Sequence, residues 1–351
     1  MSRTLVASAR VFLVGARLKR PFVTAQGRRD ETVNAAVSLR LSGGAEGYGE
    51  ASTSIAQKHL TAPTLRRALA SLAVRAKGKD ALAWRALSAG AWETQGAFPP
   101  AVAAFEAALV SALAAEAGVP LSQWLGGAKP RVETDVTISA WTDAALTADA
   151  AAEAAAAGFK VLKVKVGGEK AADLERVRAV RVAAPAARLI VDGNQGFTPA
   201  GALRFLDALL AEGAPVDLLE QPTPKADMKG LAFVSKRCPV PVAADESVQT
   251  PADAVLAADL GVTAINVKLA KSGLSRGLEI AAVARAAKLP LMIGCMAETA
   301  RGLAASVHLA AGTGAFRWHD LDSDLLLVED LAARTAAGWQ RRGRFAEAVQ
   351  G

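Results

Sequence analysis

The chain has 351 residues, of which 52% are hydrophobic and 21% are charged, and it carries a formal net charge of +7. This composition excludes an intrinsically disordered protein and leaves room for one large barrel with an added domain. Because the basic residues are mixed with acidic ones and the two cysteines lack zinc or disulfide spacing, we expect a cytoplasmic protein that binds neither nucleic acid nor a membrane.

The N-terminal region alternates between apolar and polar residues with the period of two that is typical of β-strands. The runs are TLVASARVFLV, TVNAAVSLRLSGG and AEGYGEAS, and Gly43 and Gly44 predict a hairpin turn. A polar segment between the first two runs, RLKRPFVTAQGRRDE, is predicted to be a loop. Residues 63 to about 126 have the pattern of helices rich in Ala and Leu. We therefore predict an N-terminal α+β capping domain over residues 1–126.

Short apolar runs recur after residue 130, with Ala-rich helical segments between them. The runs are TDVTIS, VLKVKV, RLIVD, VDLLE, VPVAAD, AINVKL, LPLMIG and WHDLD. Strands that alternate with helices indicate βα units, and this number of them predicts an α/β fold with a TIM-like barrel. We assign residues 127–325 to the barrel and predict that residues 326–351 return to the N-terminal domain.

Acidic residues occur at the ends of three consecutive predicted strands. They are Asp192, Glu220 and Asp245. In a barrel these ends meet at one face, where three carboxylates need a cation to stay ionised. Hard oxygen ligands without His or Cys favour Mg²⁺, one ion per subunit. Further polar residues are expected to support this site: Asn194, Glu246 and Asn266.

Lysines occupy two predicted strands on opposite sides of the barrel. Lys163 and Lys165 lie two apart in VLKVKV and so share one face, and Lys268 lies in AINVKL. Lys165 and Lys268 are predicted to be opposed bases, one removing the α-proton of a carboxylate substrate and the other returning a proton to the opposite face. Mg²⁺ would stabilise the enediolate between these steps. The positive charge of Lys163 is expected to favour the neutral form of Lys165. Lys163 is also expected to contact the substrate.

These motifs together resemble the enolase superfamily, and within it the muconate lactonizing enzyme subgroup. The matching stretches are KVK, VDGNQGF, EQP, ADES and KLAKSGL, and the resemblance extends over nearly the whole chain. It implies an N-terminal capping domain over a (β/α)7β barrel, with Mg²⁺ held by Asp192, Glu220 and Asp245. We also expect a homo-oligomer.

The last predicted strand resembles that of dipeptide epimerases most closely. Its Asp320 and Asp322 lie two apart, and in those enzymes such acids hold the α-ammonium group of a dipeptide. We therefore predict an isomerase that inverts the C-terminal residue of a dipeptide. The alternatives are an N-acylamino acid racemase, an o-succinylbenzoate synthase or a muconate cycloisomerase. These substrates offer no ammonium group, and in that case both acids would be helix caps or salt-bridge partners. A binding barrel without activity is not favoured, because both lysines and all three metal-binding acids are present.

The capping-domain segment departs from the pattern of epimerases that act on Ala-Glu. Those have an arginine that meets the glutamate side chain, whereas here Gly27 takes that place and Arg28 and Arg29 follow. We therefore expect an apolar or otherwise uncharged side chain at the second position of the dipeptide at least as much as glutamate. Arg28 and Glu298 are further candidates for substrate binding.

Overall fold

The N-terminal region is an antiparallel sheet packed against helices. The computed structural model describes residues 2–328 and 338–348. The sheet has the order β1-β2-β3, with β1 at Val6–Thr24, β2 at Gly27–Leu41 and β3 at Glu46–Ala51. The helices that follow are α1 (Ala62–Ala76), α2 (Trp84–Gln95), α3 (Pro99–Glu116) and α4 (Leu121–Trp124). Their apolar faces and the inner face of the sheet form one core, which includes Leu39, Leu65 and Leu109.

The predicted loop between the first two strands is instead an extension of the hairpin. β1 continues to Thr24, which pairs with Gly27 at the start of β2. A register shift between Arg17 and Phe22 bends this ribbon. The barrel domain provides partners for it, because the side chain of Trp141 donates a hydrogen bond to the carbonyl of Pro21 at 2.7 Å. The loop prediction was wrong because these tertiary contacts favour an extended ribbon over a polar loop.

Within the described residues, eight parallel strands form the barrel in sequential order. The strands are β5 (Val136–Ile138), β6 (Val161–Lys165), β7 (Arg188–Asp192), β8 (Val216–Glu220), β9 (Val242–Ala244), β10 (Ala264–Lys268), β11 (Leu291–Gly294) and β12 (Phe316–Asp320). The helices between them are α5 (Ala144–Ala156), α6 (Lys170–Ala183), α7 (Pro199–Ala211), α8 (Met228–Ser235), α9 (Pro251–Leu260), α10 (Leu269–Ala286) and α11 (Ala300–Thr313). A hydrogen bond of 2.9 Å from the N–H of Asp135 to the carbonyl of His319 joins the two ends of the sheet. The predicted fold class is confirmed.

The inside of the barrel has an apolar layer below a polar one. Buried side chains that form the lower layer include Ile190, Leu218, Met292 and Trp318. Two positions further along the same strands lie Asp192, Glu220, Gly294 and Asp320. Because side chains alternate with a period of two, these residues point into the barrel at its C-terminal mouth. The apolar layer closes the barrel, and the polar layer forms the floor of a site.

The C-terminal residues contact both domains. After α12 (Ser323–Leu326), Leu327 forms a β-bridge with Leu18 of the capping hairpin. Further along, β13 (Trp339–Arg342) pairs with β14 (Phe345–Ala348), and β14 pairs with β4 (Arg131–Glu133) beside the barrel. The rest of the predicted C-terminal segment, 329–337 and 349–351, lies outside the described residues. The domain boundaries at 126 and 325 stay predictions.

In the described part of the chain, α3 is the one helix long and apolar enough to cross a membrane, and 78% of it is buried inside the protein. It is the central helix of the capping domain and packs between β3 and α10. Its apolar surface is therefore explained by the protein core.

Candidate active site

Buried carboxylates lie side by side at the C-terminal mouth of the barrel. Asp192 ends β7, Glu220 ends β8 and pairs with Asp192 in register, and Asp245 directly follows β9. Buried lysines contact them: Lys165 Nζ lies 2.6 Å from Asp192 Oδ2, and Lys268 Nζ lies 2.7 Å from Asp245 Oδ2. The fold thus brings the predicted metal ligands together with the predicted bases.

The neighbouring lysines control the ionisation of these acids. Burial opposes the ionisation of Asp192, but Lys165 and other ammonium groups outweigh it and lower the pKa of Asp192 to about 2. The same balance, with Lys268, holds the pKa of Asp245 well below its usual range. In contrast, burial and the adjacent Asp192 raise the pKa of Glu220 to about 7. Among the three acids, the ionised form of Glu220 is therefore the one that a further cation would stabilise most.

Lys165 and Lys268 face one cavity from opposite sides. Lys165 ends β6 and Lys268 ends β10, which lie across the barrel from each other. Both line a cavity of about 280 Å³ between the barrel mouth and the capping hairpin. The Phe22 ring of that hairpin has its centroid 5.7 Å from Lys165 Nζ. Burial disfavours the Lys268 ammonium group, but Asp245 outweighs it and raises the pKa of Lys268. This arrangement suits proton removal on one face of a substrate and proton delivery on the other.

Lys163 lies below the cavity and joins its two ends. Its Nζ is 2.6 Å from Asp320 Oδ2, 2.8 Å from Glu220 Oε2 and 3.1 Å from Asp192 Oδ2. Burial disfavours its ammonium group, but these carboxylates, Asp320 first, outweigh it and raise the pKa of Lys163 well above its usual value. Because its side chain is completely buried and does not line the cavity, its position suits support of the acids and not contact with substrate.

Asp320 and Asp322 line the cavity at the end of β12. Asp320 is paired with Lys163, whereas Asp322 Oδ2 accepts a hydrogen bond of 2.6 Å from the N–H of Thr137. The Sγ of Cys295 lies 3.9 Å from Asp322 Oδ1. Burial and the nearby Asp320 raise the pKa of Asp322 to about 6. This pair of acids thus forms the second end of the cavity. Lys163 lies between this pair and the metal-binding acids.

The three predicted supporting residues all lie next to the metal-binding acids. Asn194 donates its N–H to Asp192 Oδ1 at 3.0 Å, and Asn266 Nδ2 donates to Glu220 Oε1 at 2.8 Å. Glu246 lines the cavity, and burial together with the adjacent Asp245 raises its pKa to about 7. Asn194 and Asn266 therefore hold two of the acids in place.

Glu298 is buried behind the cavity and not on its wall. Its Oε1 accepts a weak hydrogen bond of 3.3 Å from Ser52 Oγ of the capping domain. Burial and the neighbouring Glu50 raise the pKa of Glu298 to about 8. Its position favours a role at the contact between the domains and not substrate binding as predicted.

Arg28 does not reach the cavity. Its side chain is 61% exposed and pairs with Asp30 at 2.9 Å. Arg29 instead lines the cavity, where its guanidinium group donates to the carbonyl of Thr53 at 3.3 Å. Because successive residues of a strand point to opposite faces, Arg29 points toward the cavity and the predicted Arg28 points away from it.

The family model for enolase C-terminal domain-like proteins matches residues 146–340, which is more than half of the chain. The chain belongs to the enolase superfamily. It is 38% identical to the aromatic dipeptide epimerase of Herpetosiphon aurantiacus, over 89% of this chain and 88% of that protein. It is 35% identical to the L-Ala-D/L-Glu epimerase of Thermotoga maritima, over 94% and 95%. A dipeptide epimerase of Enterococcus faecalis, solved with Mg and L-Leu-L-Tyr, has a TM-score of 0.91 at 29% identity and matches 99% of this chain and 98% of that one.

The donor set of this enolase-superfamily site fits Mg²⁺. Three oxygen ligands come from consecutive strands, without nitrogen or sulfur among them, which is what a hard cation prefers. Glu220 Oε2 makes no hydrogen bond to any described residue, although it forms an ion pair with Lys163. Asp192, Glu220 and Asp245 would therefore hold the ion.

Two buried residues of the site are absent from the sequence-based prediction. Lys271 Nζ lies 2.6 Å from Asp245 Oδ1 and also donates to the carbonyl of Asn266 at 3.0 Å. Asp135 is buried at the start of β5, and neither of its carboxylate oxygens has a hydrogen-bond partner among the described residues. The KLAKSGL stretch contains Lys271, and its place in a stretch that resembles the enolase superfamily is the signal that could have indicated it. No local pattern marks Asp135.

Proposed function

We propose that the protein is a Mg²⁺-dependent dipeptide epimerase, an isomerase that inverts the α-carbon of the C-terminal residue of a dipeptide. The observation that carries this proposal is the pair of lysines, Lys165 and Lys268, on opposite sides of one cavity. The cavity has carboxylates that suit a metal at one end and Asp320 and Asp322 at the other. The names of the similar proteins support the same reaction class.

The two lysines perform the proton transfer. Bound Mg²⁺ would withdraw charge from the substrate carboxylate and so make the α-proton more acidic. One lysine, as a neutral amine, accepts this proton, and the other, as an ammonium group, donates a proton to the opposite face. The configuration is inverted, no proton is gained or lost overall, and the lysines exchange their protonation states. Asp245 stabilises the ammonium form of Lys268, which makes Lys268 suited to begin as the donor.

The second end of the cavity recognises the amino terminus of the dipeptide. Asp322 contacts a backbone N–H and a thiol but no cation among the described residues. A buried carboxylate gains most from a charged hydrogen-bond donor, and the free α-ammonium group supplies one. The substrates of an N-acylamino acid racemase, an o-succinylbenzoate synthase or a muconate cycloisomerase have no such group. The acids therefore favour a dipeptide over these alternatives.

The capping hairpin forms the wall nearest the substrate side chain. Leu18 and Phe22 are apolar, and Arg29 is held by the carbonyl of Thr53. We infer a preference for an apolar or aromatic second residue. The alternative is glutamate, whose side chain would pair with Arg29. A cytoplasmic location and a homo-oligomeric state stay predictions.

The direct test is isotope exchange with a dipeptide library in D₂O and Mg²⁺, measured by mass spectrometry. We expect one deuterium at the α-carbon of the second residue and equilibration of the two epimers. The library should contain leucine, phenylalanine, lysine and glutamate at that position, with N-acetylated versions as matched controls. Faster turnover of the N-acetylated compounds would favour an N-acylamino acid racemase, and absence of exchange from every member would contradict the proposal.

A further inference from the structure

A carboxylate of the capping domain lies completely buried against the barrel. Glu106 belongs to α3, and among the described residues five donors point at its two oxygens. They are Ser88 Oγ, Trp92 Nε1, the N–H of Leu274, and the N–H and Oγ of Ser275. Three of these neighbours are N–H groups, which can only donate, and the two serine hydroxyls also lie 2.9 Å from each other.

Glu106 binds the start of a barrel helix that follows one of the lysines. α10 is interrupted at Gly273, whose φ of 64° lies in the left-handed region. Glu106 Oε2 accepts the N–H groups of Leu274 at 2.5 Å and Ser275 at 3.0 Å, directly after this break. A negative charge there is favourable because the first N–H groups of a helix have no partner within it. A Cβ at position 273 would collide with this carboxylate, so the close approach requires glycine.

The helix start is connected to Lys268 through a short segment. Ser272 Oγ donates to the carbonyl of Lys268 at 3.3 Å. Lys271, in the same turn, holds Asp245, which in turn holds the Lys268 ammonium group. The segment 269–273 therefore contacts both the backbone of Lys268 and the carboxylate that binds its ammonium group.

Lys165 is connected to the capping hairpin and, among the described residues, not to α3. The centroid of the Phe22 ring lies 5.7 Å from its Nζ, and its carbonyl accepts a hydrogen bond of 3.3 Å from Arg176, which also donates to the carbonyl of Trp141. The strand of Lys165 continues to Gly167 and Gly168, whose N–H groups both donate to Asp173 Oδ2 at 2.9 Å. Asp173 lies in α6, within the barrel. The two bases thus contact different parts of the capping domain, the hairpin for Lys165 and α3 for Lys268.

We propose that Glu106 is a positioning residue for Lys268, through which helix α3 of the capping domain acts on this base and not on Lys165. The inference rests on the proposed function, because it assigns the effect to one direction of proton transfer. It goes beyond that function in linking the contact between α3 and α10 to a single lysine.

The test measures exchange of the α-proton in D₂O separately for the two epimers. Variants Lys165→Ala and Lys268→Ala first identify which epimer each lysine deprotonates. Glu106→Gln replaces the carboxylate by a group of the same shape with one acceptor oxygen, and we expect exchange from the epimer that Lys268 faces to fall by about tenfold or more, because small displacements of a catalytic group are costly. Exchange from the epimer that Lys165 faces should change by less than about twofold.

Glu116→Gln is the matched control, since Glu116 ends the same helix and pairs with the exposed Arg3; it should leave both exchange rates unchanged. An equal loss for both epimers, or no loss for either, would overturn the inference. If Glu106→Gln does not fold, Ser275→Ala, which removes one donor to Glu106, replaces it. We then expect a smaller loss of exchange, again confined to the epimer that Lys268 faces. Absence of exchange in the unaltered protein would instead contradict the proposed function.

Discussion

The two ends of the cavity differ in how their charges are balanced. At the metal-binding end, Asp192, Glu220 and Asp245 are surrounded by buried ammonium groups, among them Lys165 and Lys268. At the other end, Lys163 contacts Asp320 but not Asp322, and among the described residues no cation contacts Asp322. The protein therefore supplies lysines where a substrate carboxylate would lie, and carboxylates where a substrate ammonium group would lie.

This distribution of charge lets the site distinguish substrates of similar size. A buried acid without a counter-ion is costly unless the ligand supplies one. Burial and Asp320 already raise the pKa of Asp322 to about 6, and burial, Asp320 and Asp322 raise that of Asp135 well above its usual value. A ligand with a free ammonium group relieves this excess of negative charge, and an N-acylated ligand does not.

The largest effect is expected from changes at the metal-binding end. Removal of Mg²⁺ by EDTA should abolish epimerisation, and added Mg²⁺ should restore it. Glu220→Gln should lose both Mg²⁺ binding, measured by calorimetry, and activity, because the neutral amide is a poorer ligand and leaves Lys163 with less negative charge nearby. Glu212→Gln, at an exposed ion pair with Arg178, is the control. Full activity after chelation, with no metal found by elemental analysis, would contradict the requirement for a metal ion.

The next effect concerns the amino-terminal end. Asp322→Asn should lower kcat/KM for free dipeptides by roughly 30- to several-thousand-fold, which corresponds to about 2–5 kcal/mol of lost transition-state stabilisation. Mg²⁺ binding should be unchanged. N-acetylation of the dipeptide should damage the unaltered enzyme similarly. The two changes together should cost little more than either alone, since they remove the same charge pair. Additive losses would show that Asp322 does not meet the ammonium group.

A smaller effect is expected from pH. The pKa of Asp322 is raised to about 6, and the acid must be ionised to hold an ammonium group. Between pH 5 and 7 its ionised fraction rises by about tenfold, so kcat/KM should rise with pH through this range. Saturating Mg²⁺ keeps Glu220, with its pKa raised to about 7, from contributing. In Asp322→Asn this tenfold part of the rise should be lost, and a rise as steep as in the unaltered protein would assign the titration to another group.

The barrel and most of its site could be predicted from the sequence because strand alternation is a local signal. A polar residue at the last inward position of a strand, such as Asp192 or Glu220, follows directly from the period of two. Neighbouring strands then bring these residues into register without further information. The resemblance to a known family indicated the same residues.

The residues that were missed depend on contacts between distant segments. Arg29 was missed in favour of Arg28 because RLKRPFVTAQGRRDE was taken as a loop, where alternation does not apply; in a strand, a shift by one residue changes the face. Lys271 lies beyond the strand, in a helix turn that Gly273 interrupts. Glu106 is a lone acid in the apolar stretch AVAAFEAALV, which indicates a buried partner but not its identity.

The proposed mechanism requires Lys165 and Lys268 to act on opposite faces of the same α-carbon. Its most direct test is α-proton exchange in D₂O with each pure epimer of one dipeptide substrate, comparing Lys165→Ala and Lys268→Ala. Neither variant should interconvert the epimers, but each should exchange the α-proton of one epimer, and the two variants should differ in which one. If both variants exchange the same epimer, or if either still interconverts the two, the opposed-base arrangement is contradicted.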